Sequence, residues 1–394
     1  MARFDFIDHP FNLFVSNLEL YLIRYHEENE SLMLGYPSNK KGVKELDRVY
    51  SILSRYPVPN NVGDPFQPDQ GNYREHSLHT EGVLLRKLLQ KWGGNEENST
   101  GYCTTGGTEG NYAGLGLGIR RFIGKNPVVL YSDQAHYSVP KFLSFSQADN
   151  EMLRTTENGE IDCVHFEECV RKYKGRPFVV LATMGTTVKG AIDDIKRIIE
   201  ILTENDYTGE EYHLHVDGAF FGGYWSLDES MPEYLIGKDF HTISISLMKW
   251  FGGGVGGCFL QSKKIQELRF QLVEYLAGMT DNAISGSRSG FVPVIWLARL
   301  AQFDWKQEYQ YCMQLRDYLI ETLTSKGIAA WCNPYSLIVV FPMEPDKKIY
   351  RQFQLAAEFD QHTQQYVSHV VVLPHVTKEN LDCLVNMLLS HTHG

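Results

Sequence analysis

An aspartate and a lysine, each at the end of an apolar run, give this sequence its first chemical signal. Asp217 closes His213-Leu214-His215-Val216. Lys249 follows the β-like Thr242-Ile243-Ser244-Ile245-Ser246 and leads into the glycine-rich Phe251-Gly252-Gly253-Gly254-Val255-Gly256-Gly257. A lysine at the end of a buried strand is desolvated, so its pKa falls and its neutral amine can attack an aldehyde. An aspartate 32 residues earlier (249 minus 217) can keep a pyridine nitrogen protonated, and such a ring absorbs electrons released at a substrate Cα. The pair suggests a Schiff base to pyridoxal phosphate.

Three further segments could serve the same chemistry. Cys103-Thr104-Thr105-Gly106-Gly107-Thr108-Glu109-Gly110-Asn111 leads into an expected helix over Tyr112 to Phe122. Glycines and threonines at a helix start offer bare N–H groups and hydroxyls to a phosphate, although the pattern is neither a Walker A loop nor GxGxxG. His136, in Ser132-Asp133-Gln134-Ala135-His136-Tyr137-Ser138, could stack on a flat ring or shuttle a proton. Gly185-Thr186-Thr187 could present hydroxyls after another strand. Taken singly, each has a plainer reading: a turn, a loop histidine, an aspartate capping a strand end, a surface lysine. As an ordered set they point to one site.

The elements that must position these residues alternate between helix and strand from about Ser77 to Leu260. Strands are expected at Val128–Tyr131, Phe178–Ala182, His213–Val216 and Thr242–Ile245, with helices such as Ser77 to Trp92 and Ile192 to Glu204 between them. That alternation implies a mostly parallel sheet covered on both faces, with ligands beyond the carboxyl ends of its strands. Helices are also expected over Phe11–Arg24 and Val43–Arg55. After Val292 come a long helical region, a strand at Ser336–Phe341, a helix at Ile349–Phe359, a strand at Ser368–Leu373 and a helix from Thr377, together a small α+β unit.

In this ordered set the chain resembles the group II pyridoxal-phosphate-dependent amino acid decarboxylases, nearest their short histidine decarboxylase and serine decarboxylase branch. The resemblance runs over about residues 30 to 300 and rests on Leu34-Gly35-Tyr36-Pro37, Gly63-Asp64-Pro65-Phe66, Thr105 to Asn111, Asp133 to Ser138, His215-Val216-Asp217-Gly218-Ala219 and Gly286-Ser287-Arg288-Ser289-Gly290. It implies a fold type I, PLP-dependent transferase-like architecture: a large α/β domain with a mostly parallel mixed sheet flanked by helices, and a small C-terminal α+β domain. The expected divisions are 1–50, an N-terminal helical segment packing on a dimer partner, 51–290 and 291–394. It also implies roles. Gly106, Gly107 and Thr108 would hold the phosphate, with Ser246 as a further contact. His136 would stack on the ring and Ala219 would pack on its other face. Thr187 would lie near the cofactor oxygen or the substrate carboxylate, Asp217 at the pyridine nitrogen, and Lys249 would carry the Schiff base. Ser287 would reach the phosphate of the neighbouring subunit in a homodimer.

Two positions depart from that family's pattern. Met248 stands where relatives usually have a histidine before the lysine, and Phe291 stands where the histidine branch has another. A thioether neither titrates nor donates a hydrogen bond. Tyr275 and the neighbouring Ala277–Asn282 are candidates for a proton donor and lid, against the plainer reading of a tyrosine packing on an amphipathic helix.

Composition narrows the function classes. A net charge of −11 opposes a broad nucleic-acid surface. No window approaches the roughly 20 apolar residues of a membrane span, and the aspartates near the N-terminus do not suit a signal peptide. Seven cysteines without a CxxC pair suggest a reducing cytoplasm, and no metal site is expected. The leading expectation is decarboxylation of an L-amino acid, with histidine the nearest family substrate and serine or another amino acid open. The alternatives are another pyridoxal-phosphate reaction at Cα or Cβ, and a catalytically inactive scaffold.

Overall fold

The computed structural model describes residues 11–28, 32–265 and 279–392. Its strands are β1 (Asn60–Asn61), β2 (Ser99–Thr104), β3 (Val128–Ser132), β4 (Asn150–Leu153), β5 (Phe178–Thr183), β6 (Tyr212–Asp217), β7 (Thr242–Ser246), β8 (Gly257–Ser262), β9 (Arg288–Ser289), β10 (Ile338–Pro342), β11 (Ala357–Asp360) and β12 (Gln365–Val371). Seven of them form one sheet in the order β2-β8-β7-β6-β5-β3-β4. Neighbours from β7 through β4 are parallel, while β8 runs antiparallel to both β2 and β7.

Alternation along the strands shows why their sequences are apolar without interruption. Val128, Leu130, Phe178, Val180 and Ala182 enter the main core, whereas Val129, Tyr131, Val179 and Leu181 enter a second cluster on the opposite face. Both faces of β3 and β5 are covered by apolar clusters, so neither parity of these two strands is free to be polar. The second face is covered partly by the helix Gly107–Arg121, whose Leu115 packs in that cluster.

The C-terminal part is an antiparallel sheet in the order β10-β12-β11 with the helix Lys378–Thr392. The stretch around Leu34 joins it: Leu32 N donates to Gln352 O at 2.9 Å, Leu34 N to Phe353 O at 2.8 Å, and Val371 N to Leu34 O at 2.7 Å. From Leu32 onward the N-terminal segment therefore packs on its own chain.

Several expected boundaries move. The glycine cup is not a loop ahead of a helix at Tyr112; the helix starts at Gly107, and the absence of side chains at Gly107 and Gly110 lets its first turn lie close against Ala219 and Ser244. The expected helix Ile349–Phe359 is the helix Lys347–Phe353 followed by β11, the break falling at Gln354, whose φ of 52° ends a helix. Strands β2, β4 and β8 join the four that the apolar runs indicated.

Candidate active site

The carboxyl ends of β6 and β7 open into a cleft of about 650 Å³, a size that takes a small ligand. Asp217 ends β6, Ser246 ends β7, and Lys249 follows three residues later on the short helical turn Leu247–Trp250; all three line the cleft. Asn39 fixes that turn from the N-terminal segment, its N–H donating to Lys249 O at 3.1 Å and its Nδ2 to Trp250 O at 2.8 Å. Burial lowers the pKa of Lys249, and the Asp217 charge opposes part of that shift. Burial likewise lowers His136, against the raising effect of Asp217.

The helix Gly107–Arg121 approaches the sheet on a stripe of glycines. A Cβ at Gly107 would stand 2.9 Å from Ala219 Cβ, one at Gly110 would overlap Ser244, and one at Gly114 would overlap the His215 ring. The spacing, three residues then four, puts these positions on one helix face. The close approach brings the helix start into the cleft, where Thr105, Gly106, Gly107 and Thr108 line its wall. The first-turn N–H groups have no intrahelical acceptors, and Thr105 is already held by Glu109, its N–H and its hydroxyl each donating to Oε2 at 2.8 Å.

Asp217 is buried and doubly bonded: Oδ2 accepts from Asn111 Nδ2 at 2.7 Å and Oδ1 from Ala219 N at 3.0 Å. Asn111 was part of a quoted motif, yet no role followed from its sequence, since its partner lies 106 residues away. His136 holds its ring with Ser138, Nδ1 to Oγ being 2.8 Å. Thr187, Ala219 and Met248 also line the cleft.

The fourth wall comes from the small sheet and from Gly35-Tyr36-Pro37. Ala356, Glu358 and His369 face the cleft from β11, β12 and the approach to them, and Gln134 Nε2 donates to Glu358 Oε1 at 3.1 Å across it. Sequence reading missed this wall, because the register of β11 was hidden in an expected helix. Ser287 and Phe291 do not line the cleft, and Ser287 is exposed. Arg288, in the same motif, is instead buried, with Nη1 donating to Asp281 Oδ1 at 3.1 Å and Nη2 to Gly63 O at 2.9 Å, so it ties two of the motif segments together. Tyr275 lies outside the described residues. Among the described residues no group of His, Cys, Asp and Glu is placed to hold a metal ion, and no helix is long and apolar enough to cross a membrane.

This donor set suits a flat anionic aldehyde. A glycine-lined helix start faces an anion, a buried carboxylate can face a ring nitrogen, and a lysine with a lowered pKa stands beside them. A side chain at Gly107 would fill the space against Ala219.

Residues 119–326 match the pyridoxal-dependent decarboxylase conserved domain. The chain is 33% identical over 362 residues to serine decarboxylase 1 of Oryza sativa subsp. japonica, covering 90% of this chain and 71% of that protein. It is also 33% identical over 368 residues to histidine decarboxylase of Mesorhizobium japonicum, covering 92% and 94%. Among solved structures, L-methionine decarboxylase from Streptomyces sp. 590, complexed with L-methionine methyl ester, superposes with a TM-score of 0.83 at 21% identity, over 97% of this chain and 95% of that one. Glutamate decarboxylase of Lactobacillus brevis does so with a TM-score of 0.78 at 16% identity, over 100% and 95%.

Proposed function

The chain belongs to the pyridoxal-dependent decarboxylase family, and from that premise we propose that it decarboxylates an L-amino acid with a polar, hydrogen-bonding side chain, histidine-like in kind, using Lys249 to carry the cofactor. Pyridoxal phosphate is the cofactor of this carboxy-lyase. The observation that carries the proposed site is the convergence of Lys249, Asp217 and His136 on one cleft at the carboxyl ends of parallel strands.

The chemistry supplied by bound pyridoxal phosphate is withdrawal of electrons from a bond at the substrate Cα. Around it, Gly106, Gly107, Thr108 and Ser246 bind the phosphate, and His136 and Ala219 flank the ring. Asp217 would accept a hydrogen bond from the N–H of the cofactor ring. Thr187 donates its hydroxyl to the cofactor oxygen or the substrate carboxylate. Lys249, whose pKa desolvation lowers, would hold the cofactor through its amine. Tyr275 is the proposed proton donor to Cα, on sequence grounds alone.

Substrate preference follows from the small-domain wall. Among the described residues lining the cleft, Lys249 is the single lysine or arginine, while Glu358 presents a carboxylate. An aspartate or glutamate side chain would meet no free cation there, and carboxylates of Asp133, Asp217 and Glu358 line the same cleft. His369, on the neighbouring strand, lines the same wall and adds to its polar character. A side chain with an N–H or O–H group satisfies this wall. Carbon dioxide release from a panel of L-amino acids, with products identified by mass, tests the reading: histidine or serine is expected to lead, and turnover of glutamate alone would overturn it.

The same reading places Ser287 against the cofactor phosphate of a second subunit in a cytoplasmic homodimer. Support comes from its outward position and from the apolar face of the helix Phe11–Glu28, on which Phe11, Val15 and Leu22 are exposed.

A further inference from the structure

The pleat of β6 points His213, His215 and Asp217 to one face, toward the helix Gly107–Arg121. The parallel register sets Thr242 beside His215 and Ser244 beside Asp217. Glycines at 110, 114 and 118 leave the space these polar side chains occupy, since a Cβ at 118 would press on His213 as one at 114 would on His215. A polar ridge is thus enclosed between helix and sheet, every member of it buried.

Its hydrogen bonds have one consistent direction. Asn111 Nδ2 faces Asp217 Oδ2 at 2.7 Å, and only the amide N–H can donate to a carboxylate, so Asn111 Oδ1 faces the other way. That oxygen accepts from Ser244 Oγ and from His215 Nε2 at 3.1 Å, which puts the His215 proton on Nε2. His215 Nδ1 is then an acceptor, filled by the Thr242 hydroxyl at 2.9 Å. Thr242 Oγ1 in turn accepts from His213 Nε2 at 3.1 Å, and His213 Nδ1, at the far end, has no partner. Each N–H or O–H points to the next member and finally to Asp217.

We infer that Asn111, His215 and Thr242 are positioning residues for Asp217: they form a one-way hydrogen-bond chain that orients the carboxylate toward the cofactor's ring nitrogen. Aligned donors polarise one another, so the last bond in the chain is stronger than an isolated amide–carboxylate contact. The imidazoles suit this role only when neutral. Burial holds His215 down to about 4 and His213 well below its ordinary value; Asp217 opposes the shift at His215, and His241, His215 and Arg121 add to it at His213. The inference rests on the assignment of Asp217 to the ring nitrogen.

The test uses holoenzyme reconstituted with pyridoxal phosphate labelled with ¹⁵N in the ring, comparing wild type with Asn111→Leu, Thr242→Val and Thr242→Ser. The readouts are the ring-nitrogen shift across pH, the cofactor dissociation constant, and the thermal midpoint of each apoprotein. Asn111→Leu should lower the pH at which the ring nitrogen loses its proton and weaken cofactor binding roughly 10- to 100-fold, the range that follows from losing one charged hydrogen bond. Thr242→Val should move both readouts in the same direction, about 3- to 10-fold in affinity, while Thr242→Ser, which keeps the hydroxyl, restores them. If Asn111→Leu does not fold, the Thr242 pair decides. Equal ring shift and affinity in Thr242→Val and Thr242→Ser would overturn the chain. A wild-type ring nitrogen without a proton would overturn the Asp217 assignment and this inference with it, an outcome distinct from a failure of the chain alone.

Discussion

At the scale of single residues, chemistry divides between groups that announce themselves in sequence and groups that need a partner. Lys249, Asp217 and His136 were legible only as members of an ordered set at the ends of apolar runs, each having a plainer reading alone, and all three line the cleft. Asn111, Glu358 and His369 were not, since an asparagine in a helix or a glutamate in a strand means nothing until its partner 100 or more residues away is known. Glu358 gives a direct prediction. Glu358→Gln keeps a carbonyl to accept from Gln134 but removes the charge that faces the cleft. It should lower kcat/KM for the preferred amino acid about tenfold, the effect of one charge-assisted hydrogen bond, with Tm unchanged. Unaltered kcat/KM across the panel of amino acids would remove Glu358 from substrate selection.

Elements were legible where both faces of a strand are apolar, as in β3 and β5, or where apolar and polar residues alternate, as in β6 and β7. β3, β5, β6 and β7 were expected nearly in place, whereas β2 (Ser-Thr-Gly-Tyr-Cys-Thr) and β11 (Ala-Glu-Phe-Asp) carry too little apolar signal to be distinguished from loop or helix. β8 was masked by the glycine run before it, and β4 is too short and exposed to show a pattern. The helix Gly107–Arg121 looks poor by propensity, each interior glycine costing about 1 kcal/mol relative to alanine, and its glycines are explained by closeness to the sheet. Two substitutions separate these effects. Gly116→Ala meets nothing closer than Phe142 Cζ at 3.7 Å and should stabilise the protein by about 0.5–1 kcal/mol. Gly114→Ala must displace the His215 ring and should destabilise it by roughly 2 kcal/mol or more. Urea unfolding measures both; equal effects would mean that the helix does not depend on its approach to β6.

At the scale of the whole molecule, the small sheet is fixed to the large one by a buried ion pair. Lys189 Nζ lies 3.1 Å from Asp360 Oδ2 and donates to Glu157 O at 2.8 Å, both side chains being almost fully enclosed. Lys189→Ala would leave the Asp360 charge buried and should cost about 3–5 kcal/mol in urea unfolding, part of it recovered by Lys189→Met with Asp360→Leu. A loss under 1 kcal/mol would show that solvent reaches the pair. Acid stability follows from the buried imidazoles. Burial holds His215 and His369 down to about 4 and His241 to about 3. Below about pH 6.5 the unfolded chain takes up protons on these rings while the folded chain does not, so stability present above 6.5 declines as pH falls toward 4. Burial raises Asp193 to about 7, so its proton uptake in the folded chain offsets part of this loss; Tm should still drop between pH 6.5 and 4.5, and a flat Tm over that interval would contradict the neutral, buried assignment of the imidazoles. None of these long-range pairings could be read from one sequence, because each joins segments whose proximity only the fold decides.

The account depends most on Lys249 as the lysine that carries the cofactor. Borohydride reduction of the protein loaded with pyridoxal phosphate fixes the imine as a stable amine, and peptide mass mapping then locates it. The account predicts the pyridoxyl adduct on Lys249, and none in Lys249→Ala. An adduct on another half-buried lysine, such as Lys91, whose pKa desolvation pushes down to about 8, would contradict it.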